Sequence, residues 1–137
     1  MLDTGSLVGR DSGEIVRDAY AAFNDGDVEG VLALATPDIE IRDAARTAVV
    51  YRGHDGYRQF ITEWLENFDE YRFEVVEFVV NGDRVLVDAV AHGRGKGSGL
   101  ELSEAVNQVL TVRDGKVSVL EVYTDRAEAR RAAGLAD

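Results

Sequence analysis

The chain has 137 residues, with 15 Lys plus Arg against 26 Asp plus Glu, and a formal charge of -11 at pH 7. Its length fits one domain that buries roughly two-thirds of its unfolded surface, and its negative field opposes binding to phosphate backbones and anionic lipid. Cysteine is absent, which excludes disulfides, thiol nucleophiles and cysteine-ligated metals and points to a reducing compartment, with the cytoplasm as the expected location.

Hydrophobic residues make up 45% of the chain and charged residues 30%, a balance that supports a packed core rather than disorder. The opening "MLDTGSLVGRDSG" has neither the basic start nor the apolar centre of a signal peptide. It is expected to be a flexible tail over residues 1–11, ahead of a single domain over 12–135. No apolar run reaches the 18 residues that a membrane span needs.

"DSGEIVRDAYAAFNDGD" carries possible caps at Asp11 or Ser12 and places Ile15, Ala19, Tyr20 and Phe23 on one broad helical face. A turn around Asn24, Gly26 and Asp27 leads into "VEGVLALA", where Val31, Leu34 and Ala35 pack beneath the first helix and Pro37 marks the end. After the alternating "DIEIRD", a longer helix is predicted from about Asp55, with Tyr57, Phe60, Ile61, Trp64, Leu65 and Phe68 at three- and four-residue spacings.

The second half changes to strand-like segments near 72–80, 84–92, 100–112 and 116–124. Asn81-Gly82 and Asp114-Gly115 are the turn signals between antiparallel neighbours. Glycines at 93, 95, 97 and 99 read as a broad hairpin or a mobile pocket rim. They lack the spacing of a phosphate or nicotinamide loop. "DRAEARRAAGLAD" closes the chain as a short helix stopped at Gly134. The predicted class is α+β: a bent, mostly antiparallel sheet covered by the N-terminal helices.

The chemically informative residues lie on those strands. Uninterrupted alternation in "GLELSEAVNQVLTV" puts Glu104 and Gln108 on the face that also holds Leu102, Val106 and Leu110, where a polar side chain needs a partner or a ligand. Asp43 follows the first strand and is positioned either as a loop cap for Ala45 or Arg46 or as a base at a cavity opening. Asp88 either completes an acidic pocket pair or faces outward, and Arg46 is a possible partner for these acids. His92 reads as an accessible strand residue, and His54 at the helix entrance has no required chemical role. The two histidines form no metal motif, so no metal and no cofactor are expected. Ser12, Ser98, Ser103 and Ser118 lack a nucleophile-elbow context, and sequence separation establishes no spatial triad.

Taken together, "AYAAFNDGDVEGVLALATPDIEIRD", "YRGHDG", "VRDGKV" and "EVYTDRAEARRAAGL" resemble the nuclear transport factor 2-like superfamily, in particular its SnoaL-like and ketosteroid-isomerase-like branches. The resemblance implies a cone-like domain around an apolar cavity, commonly dimeric. It implies no single chemistry, because relatives include isomerases, cyclases, epoxide hydrolases and binding domains. Asp43 matches the isomerase's proton-shuttling carboxylate. The isomerase's oxyanion tyrosine aligns with Ala19, one position from Tyr20 and therefore about 100° around the helix. Its second oxyanion donor aligns with Gln108 if the "RDG" turn is shortened by one residue, and with Asn107 without that gap.

The expectation is a protein that binds an apolar small molecule, with Tyr20, Phe60, Trp64, Asp88, Leu110 and Val122 as ligand contacts. Asp43, Glu104 and Gln108 are its polar, potentially catalytic residues. One alternative is a cofactor-independent isomerase or cyclase of an apolar carbonyl compound with Asp43 as base. Another is a nonenzymatic homodimer joined through Asn107, Glu121 and Tyr123.

Overall fold

The computed structural model describes residues 11–44, 49–66 and 68–135. The N-terminal tail expected over 1–11 therefore lies outside the described residues, except Asp11. Asp11 caps helix α1 (Ser12–Asn24): its carboxylate accepts from the backbone N–H groups of Gly13 and Glu14, two of the donors that a helix start leaves unpaired. Asp27 does the same for α2 (Val28–Ala33) through Gly30 N–H.

Six strands follow: β1 (Ala35–Asp43), β2 (Val49–Arg52), β3 (Phe68–Asn81), β4 (Arg84–Gly95), β5 (Glu101–Arg113) and β6 (Lys116–Tyr123). Helix α3 (Gly53–Leu65) joins β2 to β3, and α4 (Arg126–Ala132) ends the fold. The strand order is β2-β1-β6-β5-β4-β3. Every neighbouring pair is antiparallel except β1 with β6, which is parallel. The expected α+β class and mostly antiparallel sheet are observed, and the sheet is open rather than closed.

Of the two expected turns, Asp114-Gly115 is observed as read, and the other is displaced by one residue. Asp114 and Gly115 both have positive φ, 54° and 76°, the pair of left-handed residues that a type I′ hairpin requires. Between β3 and β4 the loop is Gly82-Asp83, so Asn81 belongs to the strand. Its side chain instead donates to Ala133 O at 2.8 Å and ties α4 to the sheet.

Several boundaries differ from expectation, among them β4, which runs to Gly95, and β2, which no sequence signal marked. Helix α3 begins at Gly53 without a side-chain cap, rather than near Asp55, and His54 beside it lies 3.0 Å from Ala35 O, joining the helix entrance to β1. Phe68 belongs to β3, not to the helical stripe, so β3 starts four residues before the predicted Arg72. Pro37 lies within β1, between Ala35 and Glu40 where the register with β6 shifts; proline lacks the N–H of a regular ladder and is accommodated at such an irregularity.

The sheet has two dissimilar faces. On the inner face Ile39, Ile41, Val87, Leu110, Leu120 and Val122 pack under Ile15 and Val16 of α1, Val31 and Leu32 of α2, and Ile61 and Trp64 of α3. On the outer face Leu86 and Val109 pack against Ala129 and Ala133. Asn24 also covers the β3 edge, donating to Phe73 O and accepting from Phe73 N–H. It thereby satisfies edge-strand groups that would otherwise be open to another chain.

Candidate functional site

The α1 and α3 stripes meet the inner face around a narrow cavity of about 40 Å³. Helix α1 supplies Ala19, Tyr20 and Phe23; α3 supplies Tyr57, Phe60, Ile61 and Trp64; Tyr71, Phe73, Gln108, Leu110 and Leu120 come from the strands. Among the described residues, no Asp, Glu, Lys or Arg lines it. Alternation in "YRF" puts Tyr71 and Phe73 on one face of β3, so their rings continue the aromatic wall begun by Phe60 and Trp64. Trp64 lies 5.9 Å from Tyr71 and 6.3 Å from Phe73 between ring centroids, spacing at which tilted and edge-on aromatic contacts stabilise a wall beyond area burial.

One polar pair interrupts this wall. The Tyr20 hydroxyl donates to Gln108 Oε1, and both residues are buried, at 9% and 4% exposure. This hydrogen bond leaves the Gln108 amide with two N–H donors and the Tyr20 oxygen with acceptor capacity. A one-residue displacement from the isomerase tyrosine does not turn Tyr20 away from the site, because Ala19 and Tyr20 both reach the cavity.

Burial pushes the Tyr20 phenol well above 10.0, reinforced by neighbouring Tyr57 and Tyr71, and burial also raises Tyr57. A phenol whose folded value exceeds its unfolded one contributes stability fully present below the unfolded value and lost as pH rises toward the folded one. Stability is therefore expected to fall above about pH 10, by up to about 1.4 kcal/mol per pH unit for each tyrosine. Urea titrations at several alkaline pH values check this. Tyr20→Phe should make the decline shallower.

Asp43 ends β1 on the inner face and is 4% exposed. Pairing aligns Asp43 with Val122, Val122 with Gln108, and Gln108 with Val87, so the four side chains form one row across the sheet. Two strand spacings separate Asp43 from Gln108, about 10 Å. Val122 lies between them as an inner-face core residue. Neither Asp43 nor Val122 is among the residues around the cavity; Tyr20, Phe60, Trp64, Gln108 and Leu110 are.

The profile of the SnoaL-like domain matches residues 16–120. This chain belongs to the SnoaL-like domain family. Its fold is that of the nuclear transport factor 2-like superfamily, as three solved structures illustrate. TerC co-crystallised with polyporic acid is 25% identical, with 90% of this chain and 98% of that chain covered at a TM-score of 0.73. A nuclear transport factor 2-like protein of Burkholderia xenovorans is 31% identical, with 89% and 95% covered at a TM-score of 0.68. A ketosteroid isomerase-like fold protein of Catenulispora acidiphila, in complex with trimethylamine, is 19% identical, with 90% and 94% covered at 0.73, and shows likeness of fold. Comparison with curated proteins yields no match.

Within this SnoaL-like frame several expected site residues lie elsewhere. Glu104 keeps the inner-face parity of Gln108, but burial on β5 begins only at Val106 and Glu104 is exposed. The strand outruns the helices at that end, so parity alone does not bring Glu104 into the cavity. Asp88 faces the opposite side, where its carboxylate accepts from Arg126 Nε at 2.9 Å and the same guanidinium bridges to Glu77. Burial holds the Asp88 carboxyl above its usual range, while the Arg126 hydrogen bond holds Glu77 below its own.

The proposed assembly residues are also on the outer face. Asn107 is buried within its own chain, its amide within reach of Tyr123 O at 3.5 Å and Thr124 O at 3.3 Å. The Tyr123 hydroxyl donates to Glu121 at 2.8 Å, and burial pushes its phenol up to about 12. Arg46 lies outside the described residues. No helix among the described residues is long and apolar enough to cross a membrane, and no group of three His, Asp or Glu among them is placed to hold a metal ion.

Proposed function

We propose that this SnoaL-like protein binds a small, uncharged carbonyl compound between α1, α3 and the inner sheet face. The carrying observation is the Gln108 amide, held by Tyr20 and set in a wall that is otherwise aromatic and aliphatic. Such a wall favours transfer of an apolar body from water, while one amide donor orients its oxygen. The co-crystallisation of TerC with polyporic acid supports an organic small molecule as the ligand.

The cavity size limits how this happens. A water occupies roughly 10–15 Å³ on the same measure, so a space of about 40 Å³ accommodates only a few water-sized groups. Larger ligands require Trp64, Tyr71 or Phe60 to move outward. Binding should therefore broaden or shift the Trp64 fluorescence spectrum.

A second reading makes the protein a cofactor-independent isomerase or cyclase. It is favoured by the buried Asp43 in the same cross-sheet row as Gln108. In that case Asp43 removes and returns a proton, and the Gln108 N–H stabilises the developing oxygen charge. Assembly is a separate proposal, which a monomer mass at micromolar concentration in sedimentation would reject.

One experiment addresses both readings. Native mass spectrometry against a panel of aromatic and alicyclic ketones is expected to give saturable adducts, weakened about tenfold in Gln108→Leu, the loss of one hydrogen bond of about 1.4 kcal/mol. Absence of any adduct on folded protein rejects the binding reading. For a ketone that is turned over, an Asp43→Asn protein retaining full activity rejects Asp43 as the base.

A further inference from the structure

A second set of reactive side chains lies on the outer face, at the end of the sheet that the helices leave open. His92 of β4 stands between β3 and β5: its Nε2 is 2.8 Å from Glu74 Oε1, and its Nδ1 is 3.0 Å from Ser103 Oγ. The pairing register makes this contact systematic, with His92 directly opposite Ser103 and Glu74 two pairs along from Arg72, the β3 partner of His92, and therefore on the same face. Linear spacing hides the arrangement, because the three residues come from three strands.

Donor and acceptor rules fix its direction. An ionised carboxylate only accepts, so in the neutral ring Nε2 carries the hydrogen and donates to Glu74. Nδ1 then keeps its lone pair toward the Ser103 hydroxyl. That tautomer is the one a general base needs.

A groove of about 440 Å³ runs beside the serine and is lined by Glu70, Arg72, Arg94 and Glu101 together with His92 and Ser103. Arg94 lies 3.6 Å from Glu70 and 3.7 Å from Glu101, outside hydrogen-bond reach of either. Its Nε is shielded from solvent and has no hydrogen-bond partner among the described residues. The side chain as a whole is 43% exposed, so Arg94 brings positive charge, rather than this shielded N–H, toward an oxygen that becomes negative in the groove.

We propose that Ser103, His92 and Glu74 form an acyl-transfer site, distinct from the helix-covered cavity, for small activated carboxylic esters. Ser103 Oγ bonds to the acyl carbon as its proton passes to His92 Nδ1, and the Arg94 guanidinium is the nearby positive charge for the carbonyl oxygen. The acyl–oxygen bond to the leaving group breaks, and the imidazolium returns the proton to that leaving oxygen. Water, deprotonated by the same nitrogen, then attacks the acyl-serine to release the carboxylic acid and restore the hydroxyl. Glu74 is a positioning residue that holds the ring and stabilises its charged form. The site is half open to water, with His92 and Glu74 side chains 33% and 55% exposed, so desolvation contributes little and esters with good leaving groups fit it best.

The test uses the full chain and 4-nitrophenyl acetate, with aryloxide release followed by absorbance and the acetylated residue located by peptide mass spectrometry. Ser98, exposed on the same hairpin and without a histidine partner, is the internal control. Acetylation of Ser103 is expected at least about tenfold faster than of Ser98, because a placed base contributes about 10²–10⁴-fold. His92→Ala should reduce Ser103 to the Ser98 rate, and Ser103→Ala should remove the fast phase of aryloxide release. Glu74→Ala should slow the reaction and Glu74→Asp should restore part of it, which separates positioning from a merely structural role. Equal labelling of the two serines, or an unchanged fast phase in folded Ser103→Ala, overturns the proposal.

Discussion

Trp64→Ala is expected to destabilise the fold by about 3–5 kcal/mol, the range for removing a large aromatic side chain from a core. Trp64 is 5% exposed, and its ring meets those of Phe60, Phe68, Tyr71 and Phe73. Its removal therefore breaks contacts to α3 and β3 together, and the surrounding rings cannot close the gap without leaving one another. Since a domain of this size has about 5–15 kcal/mol in all, the variant should be marginal at room temperature. Urea unfolding measures the loss.

The same substitution tests the cavity. If the space around Trp64 is continuous with the narrow cavity, added indole should occupy it and raise the unfolding midpoint of Trp64→Ala while leaving the unsubstituted protein unchanged. A loss below about 1 kcal/mol with no response to indole would mean that the site collapses around alanine, and Trp64 would no longer be regarded as the cavity wall.

A large effect of a different kind is expected at the polar pair. Tyr20→Phe leaves the Gln108 acceptor unmet, and Gln108→Leu leaves a buried phenol unmet; each should cost about 1–3 kcal/mol because an orphaned buried polar group loses its water without gaining a partner. The double variant removes both groups at once. Its cost should fall below the sum of the single variants by about 0.5–3 kcal/mol, the coupling typical of residues in direct contact. Additive costs in urea titrations would show that the Tyr20–Gln108 hydrogen bond contributes nothing and would remove the pair as an organising feature of the site.

These two results bear on function in opposite ways. Trp64 supplies shape, so its loss should admit ligands while weakening the fold. The Tyr20–Gln108 pair supplies direction, so its loss should weaken binding of a carbonyl oxygen even where stability is restored in the double variant.

Much of this architecture is legible in the linear chain because its signals are local. The alternation of Val106, Gln108 and Leu110 places all three on one sheet face with period two, and the pairing register puts Gln108 opposite the inner-face residues Val87 and Val122. Asp114-Gly115 specifies a tight hairpin because both positions need positive φ. The helical spacing of Tyr57, Phe60, Ile61 and Trp64 likewise gives the wall of the cavity.

Other assignments depend on how far one element covers another, which no local pattern encodes. Glu104 and Gln108 share a face, yet only Gln108 lies under the helices. Asp88 is drawn into a network with Arg126 of α4, a partner from the far end of the chain. The pairing of His92 with Glu74 and Ser103 requires three strands in one register. By itself the sequence determined the class of fold, the Asp114-Gly115 turn and the apolar stripe of the covering helices, because backbone propensity and hydrophobic period act over a few residues. Only the tertiary structure decided which polar groups meet, because cross-strand register and the reach of a covering helix arise from contacts between residues distant in the chain.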